Sequence, residues 1–232
     1  MKRVPGLVLV FLAIAFASQA YAQFGKGAGP RFYSDFKPVV GGWSEYQMTM
    51  KGESSSKMKI AIVGKEGNDY WYETVMEGQR EGKMISKMLV SGNPSEQKNV
   101  KRMMIKMGNE PAMEMPAEMM QRGAYQSHEP KGKVVDKGEE TVKVPAGTFR
   151  TQHFQYQEGG TVVDAWIQKD ISPYGTVKTQ AKDFEMVLTG YGTGAKTLIT
   201  ETPKRFEMPK MQRGGVPKAR KPGKNQGEED ED

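Results

Sequence analysis

The sequence of 232 residues contains no cysteine and only two histidines, His128 and His153. The absence of cysteine excludes disulfide frameworks, thiol nucleophiles, Cys-ligated zinc or iron–sulfur sites and a lipid anchor on an N-terminal cysteine. Two histidines are too few for a His-rich metal site, and a hydrolase triad would have to use one of them. The composition therefore predicts neither a metal ion nor a cofactor.

Long hydrophobic runs are also absent, apart from one at the N-terminus. Lys2 and Arg3 precede an apolar run over residues 7–17, and small residues stand at the −3 and −1 positions of a cleavage after Ala22. This is the layout of a secretory signal peptide. The run is too short for a membrane span, which needs ~20 residues. We predict a periplasmic or secreted protein, cleaved near Ala22, with no transmembrane span after cleavage.

The net charge of +6 is concentrated near the two ends of the chain. Residues 23–202 hold 24 basic and 22 acidic residues, whereas residues 203–232 form a basic segment that closes on five acidic residues. The tail is rich in proline and poor in large apolar side chains, which predicts disorder. Its candidates for binding an anionic envelope surface are Lys218, Arg220 and Lys221. A solvated, self-neutralising tail is the alternative, and export argues against nucleic acid as a partner.

The body of the chain alternates between apolar and polar residues, which is typical of half-exposed antiparallel strands. Two apolar faces are Tyr46, Met48 and Met50, and Met58, Ile60 and Ile62. Five strands joined by short turns extend to residue 106, and a second block of strands runs from Lys133 to Thr200. The pattern predicts an all-β, mainly antiparallel domain over residues 42–202, after a linker at 23–41. With about ten to twelve strands, we expect a strongly curved sheet or an incomplete β-barrel.

Methionine is unusually frequent in the segment that separates the two blocks. Residues 103–120 carry seven of the 17 methionines and are interrupted by Pro111 and Pro116. Because proline cannot donate to a strand ladder, we predict a loop with at most a helical turn near residues 117–120. A lid over one face of the sheet is the first interpretation, since methionine repacks easily. An adaptable ligand surface and a Cu(I) site on thioethers are the alternatives.

Three segments of the second block carry a family resemblance. They are ETVKVPAGTF at 140–149, VDAWI at 163–167 and ISPYGTVK at 171–178. Together they resemble exported bacterial proteins of the uncharacterised DUF3108 and DUF4412 families, within the wider LolA/LolB-like lipoprotein-carrier fold. The resemblance covers residues 140–200. It implies a curved antiparallel sheet whose concave apolar face lies under a lid, and LolA and LolB carry lipoprotein acyl chains.

No constellation of residues predicts catalysis. His153 alternates with Phe154 on a strand and lacks the context of an activated nucleophile, and His128 lies in a turn. Glu139 and Glu140 are interpreted as a solvated hairpin entry. Asp164, beside Trp166, is interpreted as lying on an exposed strand face, with a pocket carboxylate as the alternative. The predicted ligand-pocket residues are Tyr72, Met104, Met115, Met119, Met120, Phe149 and Trp166.

The sequence leaves three functional hypotheses open. The leading one is an exported, non-enzymatic binding protein that holds a lipid, acyl chain, lipoprotein or other hydrophobic ligand on the concave face of the sheet. The second is an envelope-associated structural or interaction protein that docks through its charged tail. The third is an outer-membrane barrel, against which charged residues in both strand phases weigh.

Overall fold

The computed structural model describes residues 34–78, 82–116 and 132–206. Within these ranges it contains twelve β-strands and one short 3-10 turn. These residues include no α-helix, and so no helix long and apolar enough to cross a membrane. The signal-peptide segment, the tail beyond residue 206, Met119 and Met120 lie outside the described residues. The strands are β1 Trp43–Met50, β2 Ser56–Glu66, β3 Asp69–Gly78, β4 Gly82–Val90, β5 Val100–Met107, β6 Met113–Glu114, β7 Lys133–Val144, β8 Gly147–Glu158, β9 Thr161–Ile167, β10 Thr176–Ala181, β11 Phe184–Gly192 and β12 Lys204–Arg205.

The strands form a single sheet in the order β12-β6-β5-β4-β3-β2-β1-β11-β10-β9-β8-β7. Every neighbouring pair is antiparallel except β12 with β6, which is parallel. The prediction of an all-β, mainly antiparallel fold is confirmed, and the sheet is not closed into a barrel. Two meanders, β1–β5 and β7–β11, meet where β1 pairs with β11.

Period-two alternation gives the sheet an apolar inner face, which we define by the side chains that share the phase of Tyr46. Tyr46 lies opposite Leu188 on β11 and Met58 on β2, and all three are buried. Ile60 and Ile62 follow on the same face and are 1% and 0% exposed. Burying each such side chain contributes about 1.5–3 kcal/mol. The two apolar faces predicted for β1 and β2 are thus the core of the fold.

Two irregular segments cover the inner face. The loop over residues 168–175 places Ile171 and Tyr174 in the core, and the segment that begins at residue 34 adds Phe36. The ring centroid of Phe36 lies 5.5 Å from that of Tyr174 and 6.1 Å from that of Tyr72. Burial raises the pKa of Tyr174 well above its usual value, so this phenol stays neutral. Side chains of the chain itself pack the inner face where the ligand site was predicted. Within the predicted linker, Phe36 joins this packing, while Val39 and Val40 are each 53% exposed.

Residues 193–206 cover the part of the opposite, outer face that β3, β4 and β5 form. Glu73 is 2% exposed on this face, and its carboxylate accepts the Thr197 hydroxyl at 2.6 Å and the Leu198 N–H at 3.0 Å. A second apolar cluster forms beneath the segment, from Val75, Ile85, Met104, Ala112 and Ile199. The strand predicted over residues 196–200 is wrong, because this segment bonds to a side chain of the sheet instead of to a strand ladder.

The Met-rich stretch is a further difference from the sequence analysis. Met103 and Met104 are buried on opposite faces of β5, and Met113 begins β6. The strand predicted up to residue 106 is confirmed by β5, whereas the predicted loop is wrong over β6. The prolines did mark real interruptions, since Pro111 and Pro116 lie on either side of β6 and outside the ladder. The remainder of the predicted lid, residues 117–120, lies outside the described residues.

The packing of the 168–175 loop can be tested by truncating Tyr174. We expect Tyr174→Ala to lower the free energy of unfolding by about 3–5 kcal/mol, because it empties a fully packed site. Tyr191, which is 46% exposed, serves as the matched control. Tyr191→Ala should cost about 1 kcal/mol or less. Urea unfolding of both variants measures the difference, and equal losses would show that the loop is not part of the core.

The C-terminal segment is held by an ion pair whose pH dependence is a second test. Glu201 lies 2.5 Å from the Lys106 ammonium and 3.3 Å from the Ala112 N–H. The hydrogen bond from Lys106 is the largest cause that lowers the pKa of Glu201 to about 2, from 4.5. Because the folded-state pKa is depressed, the stabilisation is present above pH 4.5 and is lost as the pH falls through about 2.

We therefore expect Glu201→Gln to be less stable than the natural protein at pH 7, with a difference that narrows between pH 4.5 and pH 2. Denaturant unfolding over this pH range measures it. Glu53→Gln, at an exposed position, is the control and should show no such difference. A Glu201→Gln penalty that stays constant with pH would contradict the assignment.

Candidate functional site

Of the five predicted pocket residues that the structure describes, three belong to the inner-face core or pack against it, and Met104 and Trp166 do not. Tyr72 is in the inner-face core, Met115 and Phe149 pack against that core, and Met104 belongs to the outer-face cluster. Trp166 lies apart from both clusters, beside His153. Two separate places remain where polar side chains converge: a cluster around His153, and a cleft at the β12 edge of the sheet.

The first place, the histidine cluster, is built by the register of β8 against β9. His153 lies opposite Trp166, and Gln155 lies opposite Asp164, so their side chains share one face. The imidazole stacks on the indole with ring centroids 4.5 Å apart and an interplanar angle of 17°. Its Nε2 is 2.8 Å from Asp164 Oδ1, and its Nδ1 is 3.1 Å from Glu140 Oε2. A histidine is thus held between two carboxylates from neighbouring strands.

Further contacts extend the histidine cluster over four strands. The Trp166 indole N–H donates to the same Glu140 oxygen at 2.8 Å. The Lys178 ammonium lies 5.3 Å from the centre of the Trp166 ring and 3.0 Å from a carboxylate oxygen of Glu185. The cluster therefore links β7, β8, β9 and β10, and an additional ion pair attaches it to β11.

The bonding of His153 has a chemical consequence. Both ring nitrogens of His153 lie within hydrogen-bond distance of carboxylate oxygens, which are acceptors when ionised. A general base needs a nitrogen lone pair aimed at the proton that it removes, and here both nitrogens already face Glu140 and Asp164. The geometry is that of a cross-link between strands. Within the described ranges, no group of three or more His, Asp or Glu side chains is placed to hold a metal ion.

The sequence analysis missed this cluster because it treated each carboxylate alone. Glu140 was interpreted as solvated, and its side chain is 51% exposed, while Asp164 was interpreted as exposed or as a pocket carboxylate; the contact of both with His153 was not predicted. The signal lies in the hairpin: the turn at residues 145–146 pairs Val144 with Gly147 and hence Glu140 with Thr151, two residues before His153. A register deduced from that turn would have placed a carboxylate near the histidine.

The second place, the edge cleft, lies where β5, β6 and β12 end the sheet. It has a volume of about 370 Å3. Its lining combines apolar and cationic side chains: Lys101, Arg102, Glu114, Met115, Pro116, Pro203 and Arg205. Of the predicted pocket residues, Met115 is in this lining. The parallel pairing of Arg205 with Glu114 brings the C-terminal strand onto the cleft.

The edge cleft has an excess of positive charge. Arg102 Nε lies 2.8 Å from Glu114 Oε1, and this hydrogen bond raises the pKa of the guanidinium. Lys101 is 2.7 Å from Asp69, which is not part of the lining. Arg205 has no ion-pair partner among the described residues. Asp69 and Glu66, outside the lining, pair with Lys101 and Arg102, which leaves Arg205 as the cation of the cleft that favours an anionic group.

No known protein family and no curated protein matches the sequence, so the resemblance to DUF3108 and DUF4412 has no support at the family level. The chain is similar to solved structures at low identity. A protein from Bacteroides fragilis, described as exported and of YmcC-like fold, is 10% identical with a TM-score of 0.33, and the match covers 69% of this chain and 100% of that one.

The chain is also similar, at low sequence identity, to two other solved structures. MucB in complex with MucA(peri) is 9% identical with a TM-score of 0.41, over 74% of this chain and 54% of MucB. A DUF1329 family protein from Desulfovibrio piger is 13% identical with a TM-score of 0.26, over 78% of this chain and 75% of that one. Likenesses of this size carry no weight for function, which has to come from the residues of this chain.

The histidine cluster makes a testable prediction about stability. Glu140→Gln keeps an acceptor for the Trp166 indole but removes one negative charge beside His153. We expect it to lower the free energy of unfolding by about 1 kcal/mol at pH 6, because the Glu140 side chain is half exposed and the interaction is screened.

The neighbouring Glu139 is the matched control, since the side chains of Glu139 and of its ion-pair partner Arg150 are both exposed. Glu139→Gln should change stability by about 0.5 kcal/mol or less. Chemical unfolding of both variants checks the pair. If Glu139→Gln costs as much as Glu140→Gln, the cluster is not a specific cross-link.

Proposed function

We propose that this chain is an exported, non-enzymatic binding protein that holds a lipid, an acyl chain or another hydrophobic ligand, and that the ligand binds in the edge cleft. One observation carries the proposal. The edge cleft is an open cavity with apolar lining from Met115, Pro116 and Pro203, whereas the apolar inner face is filled by the chain itself. A hydrophobic ligand would therefore lie at the sheet edge rather than inside the curved sheet.

The size and lining of the edge cleft support this function. Small-molecule sites have volumes of roughly 300–1,000 Å3 and combine apolar walls with a few polar groups. The cleft, at about 370 Å3, is at the lower end of that range and suits one end of a ligand better than the whole of a large one. Methionine at its wall tolerates ligands of different shapes, because its unbranched chain repacks at little cost.

The chemistry of the described side chains supports binding rather than catalysis. The histidine that the structure describes, His153, has both ring nitrogens facing carboxylates, so neither nitrogen is directed at water or a substrate hydroxyl. The N-terminal layout of the sequence supports export.

A second candidate function is supported by the position of β12. The basic segment at 204–224 begins on this strand, and Arg205 lines the edge cleft. An envelope-associated interaction protein would use this arrangement to place the basic tail, with Lys218, Arg220 and Lys221, against an anionic surface. Deletion of residues 207–232 distinguishes the two functions. Retained ligand binding with lost envelope association would support docking by the tail.

The proposal is tested by offering hydrophobic probes to the protein comprising residues 23–232. We expect oleate or monooleoylglycerol to raise the melting temperature, since a ligand at 100 times its Kd adds about 2.7 kcal/mol to stability. Pro203→Asp, which places a carboxylate in the cleft wall, should weaken binding of these probes about tenfold or more. Thermal melts and native mass spectrometry measure both effects.

Ser95→Asp, on the loop between β4 and β5 and outside the cleft lining, is the control and should bind as the natural protein does. The proposal fails if neither probe binds. It also fails if Pro203→Asp binds both probes as tightly as the control.

A further inference from the structure

We propose that the ligand of the edge cleft is an amphiphile with an acidic head group, a carboxylate or a phosphate, and that Arg205 is the residue that receives this head. The inference rests on the proposed function and names the class of ligand. It draws on three features of the cleft: its charge balance, the way in which β12 fixes Arg205, and the position of the apolar wall.

The charge balance singles out Arg205. Lys101 is paired with Asp69, and Arg102 lies between Glu114 at 2.8 Å and Glu66 at 3.8 Å. These two cations already have carboxylate partners. Arg205 has none among the described residues, although it lines the same cleft. A guanidinium without a partner offers a planar pair of N–H donors that matches a carboxylate or a phosphate.

The backbone of β12 holds Arg205 in place. The N–H of Lys204 donates to the Ala112 carbonyl at 2.8 Å, and the N–H of Phe206 donates to the Glu114 carbonyl at 3.0 Å. The two bonds flank Arg205 and anchor its main chain to β6. Successive side chains of a strand point to opposite faces, so Lys204 points away from the side chain of Arg205. In agreement, Arg205 lines the cleft and Lys204 does not.

The apolar part of the lining indicates which group is attached to the acidic head. Met115, Pro116 and Pro203 expose apolar surface beside the guanidinium and offer no further donor for a second charged group. An anion alone would leave this surface wet, whereas an acyl chain attached to the anion would cover it. The occupant that fits both parts is an amphiphile with one acidic end, such as a fatty acid or an acidic lipid.

The experiment compares Arg205→Gln with Lys204→Gln. Each variant removes one positive charge, and the two positions are adjacent on the same short strand. The protein comprises residues 23–232, and the probes are oleate, its neutral methyl ester and inorganic phosphate. We expect Arg205→Gln to weaken oleate binding about tenfold or more and to leave methyl oleate within about twofold. Lys204→Gln should leave the affinities for oleate and methyl oleate within about twofold of those of the natural protein. Arg205→Lys, which keeps the charge without the planar donor pair, should fall between the natural protein and Arg205→Gln.

Salt provides an independent readout. Raising sodium chloride from 50 to 500 mM should weaken oleate binding to the natural protein and have little effect on Arg205→Gln, because the screened attraction is already lost. Denaturant unfolding of each variant shows whether a loss of binding reflects loss of fold, which matters because β12 is short. A variant that has lost its fold is replaced by Arg205→Met, which keeps the stem of the side chain.

Each failure has a distinct meaning. If methyl oleate binds as tightly as oleate and Arg205→Gln changes neither, the head need not be acidic, and the proposed function stands without this inference. If Arg205→Gln and Lys204→Gln weaken oleate binding equally, the loss comes from the change in net charge and not from a specific contact, and the inference is wrong. If phosphate binds and requires Arg205 while oleate does not bind, the cleft takes a free anion, which overturns the inference and the proposed function together. If none of the probes binds, both are wrong.

Discussion

A sheet of one layer has two faces, and each must be covered if its apolar side chains are to leave water. Here no second sheet or α-helix is present in the described part of the chain to do so. Covering falls to connecting segments. The 168–175 loop and the segment that begins at Ser34 cover the inner face. Residues 193–206 cover the part of the outer face that β3, β4 and β5 form. The sheet depends on this packing, because an exposed inner face would otherwise leave Tyr46, Ile60 and Ile62 in water.

The outer covering begins at a buried carboxylate and ends at the edge cleft. Taking Glu73 out of water costs free energy, which the hydrogen bonds from Thr197 and Leu198 offset. Those bonds fix the course of the segment, which then reaches β6 as a parallel strand and brings Arg205 to the cleft. The proposed ligand site is thus a product of how the outer face is closed. A change at Glu73 would alter the cleft from a distance through the connecting backbone.

The sequence was informative where a physical rule acts locally. Alternation identified the strands and the buried faces of β1 and β2, since side chains of a strand alternate whatever the partner strand is. It failed for residues 196–200 and for Lys204 and Arg205. Residues 196–200 were predicted as a strand, but they bind the Glu73 carboxylate. Lys204 and Arg205 were predicted as part of a disordered tail, but they pair with β6. In both cases the outcome depends on a partner more than 80 residues away, which periodicity does not report.

The candidate sites show the same division. Trp166 was predicted as a pocket residue, but His153 and Glu140 contact it from neighbouring strands and make its surroundings polar. Composition alone does not give the register of those strands. Met115, a predicted pocket residue, lies in the lining of the edge cleft, and the cationic residue that β12 adds there, Arg205, comes from a segment assigned to the tail. Sequence patterns indicated which residue types matter, while strand order decided which of them meet.

The position of β1 bears on how the protein is made. This strand lies between β2, which follows it directly, and β11, which begins at residue 184. While the chain is being synthesised, the first meander therefore has an unpaired strand edge and an uncovered apolar face until nearly the whole domain has emerged. Such a half-sheet is prone to join with other chains through its edge. The domain is one whose early half needs to be kept from folding alone, for example by a chaperone that holds the chain extended until β11 can pair.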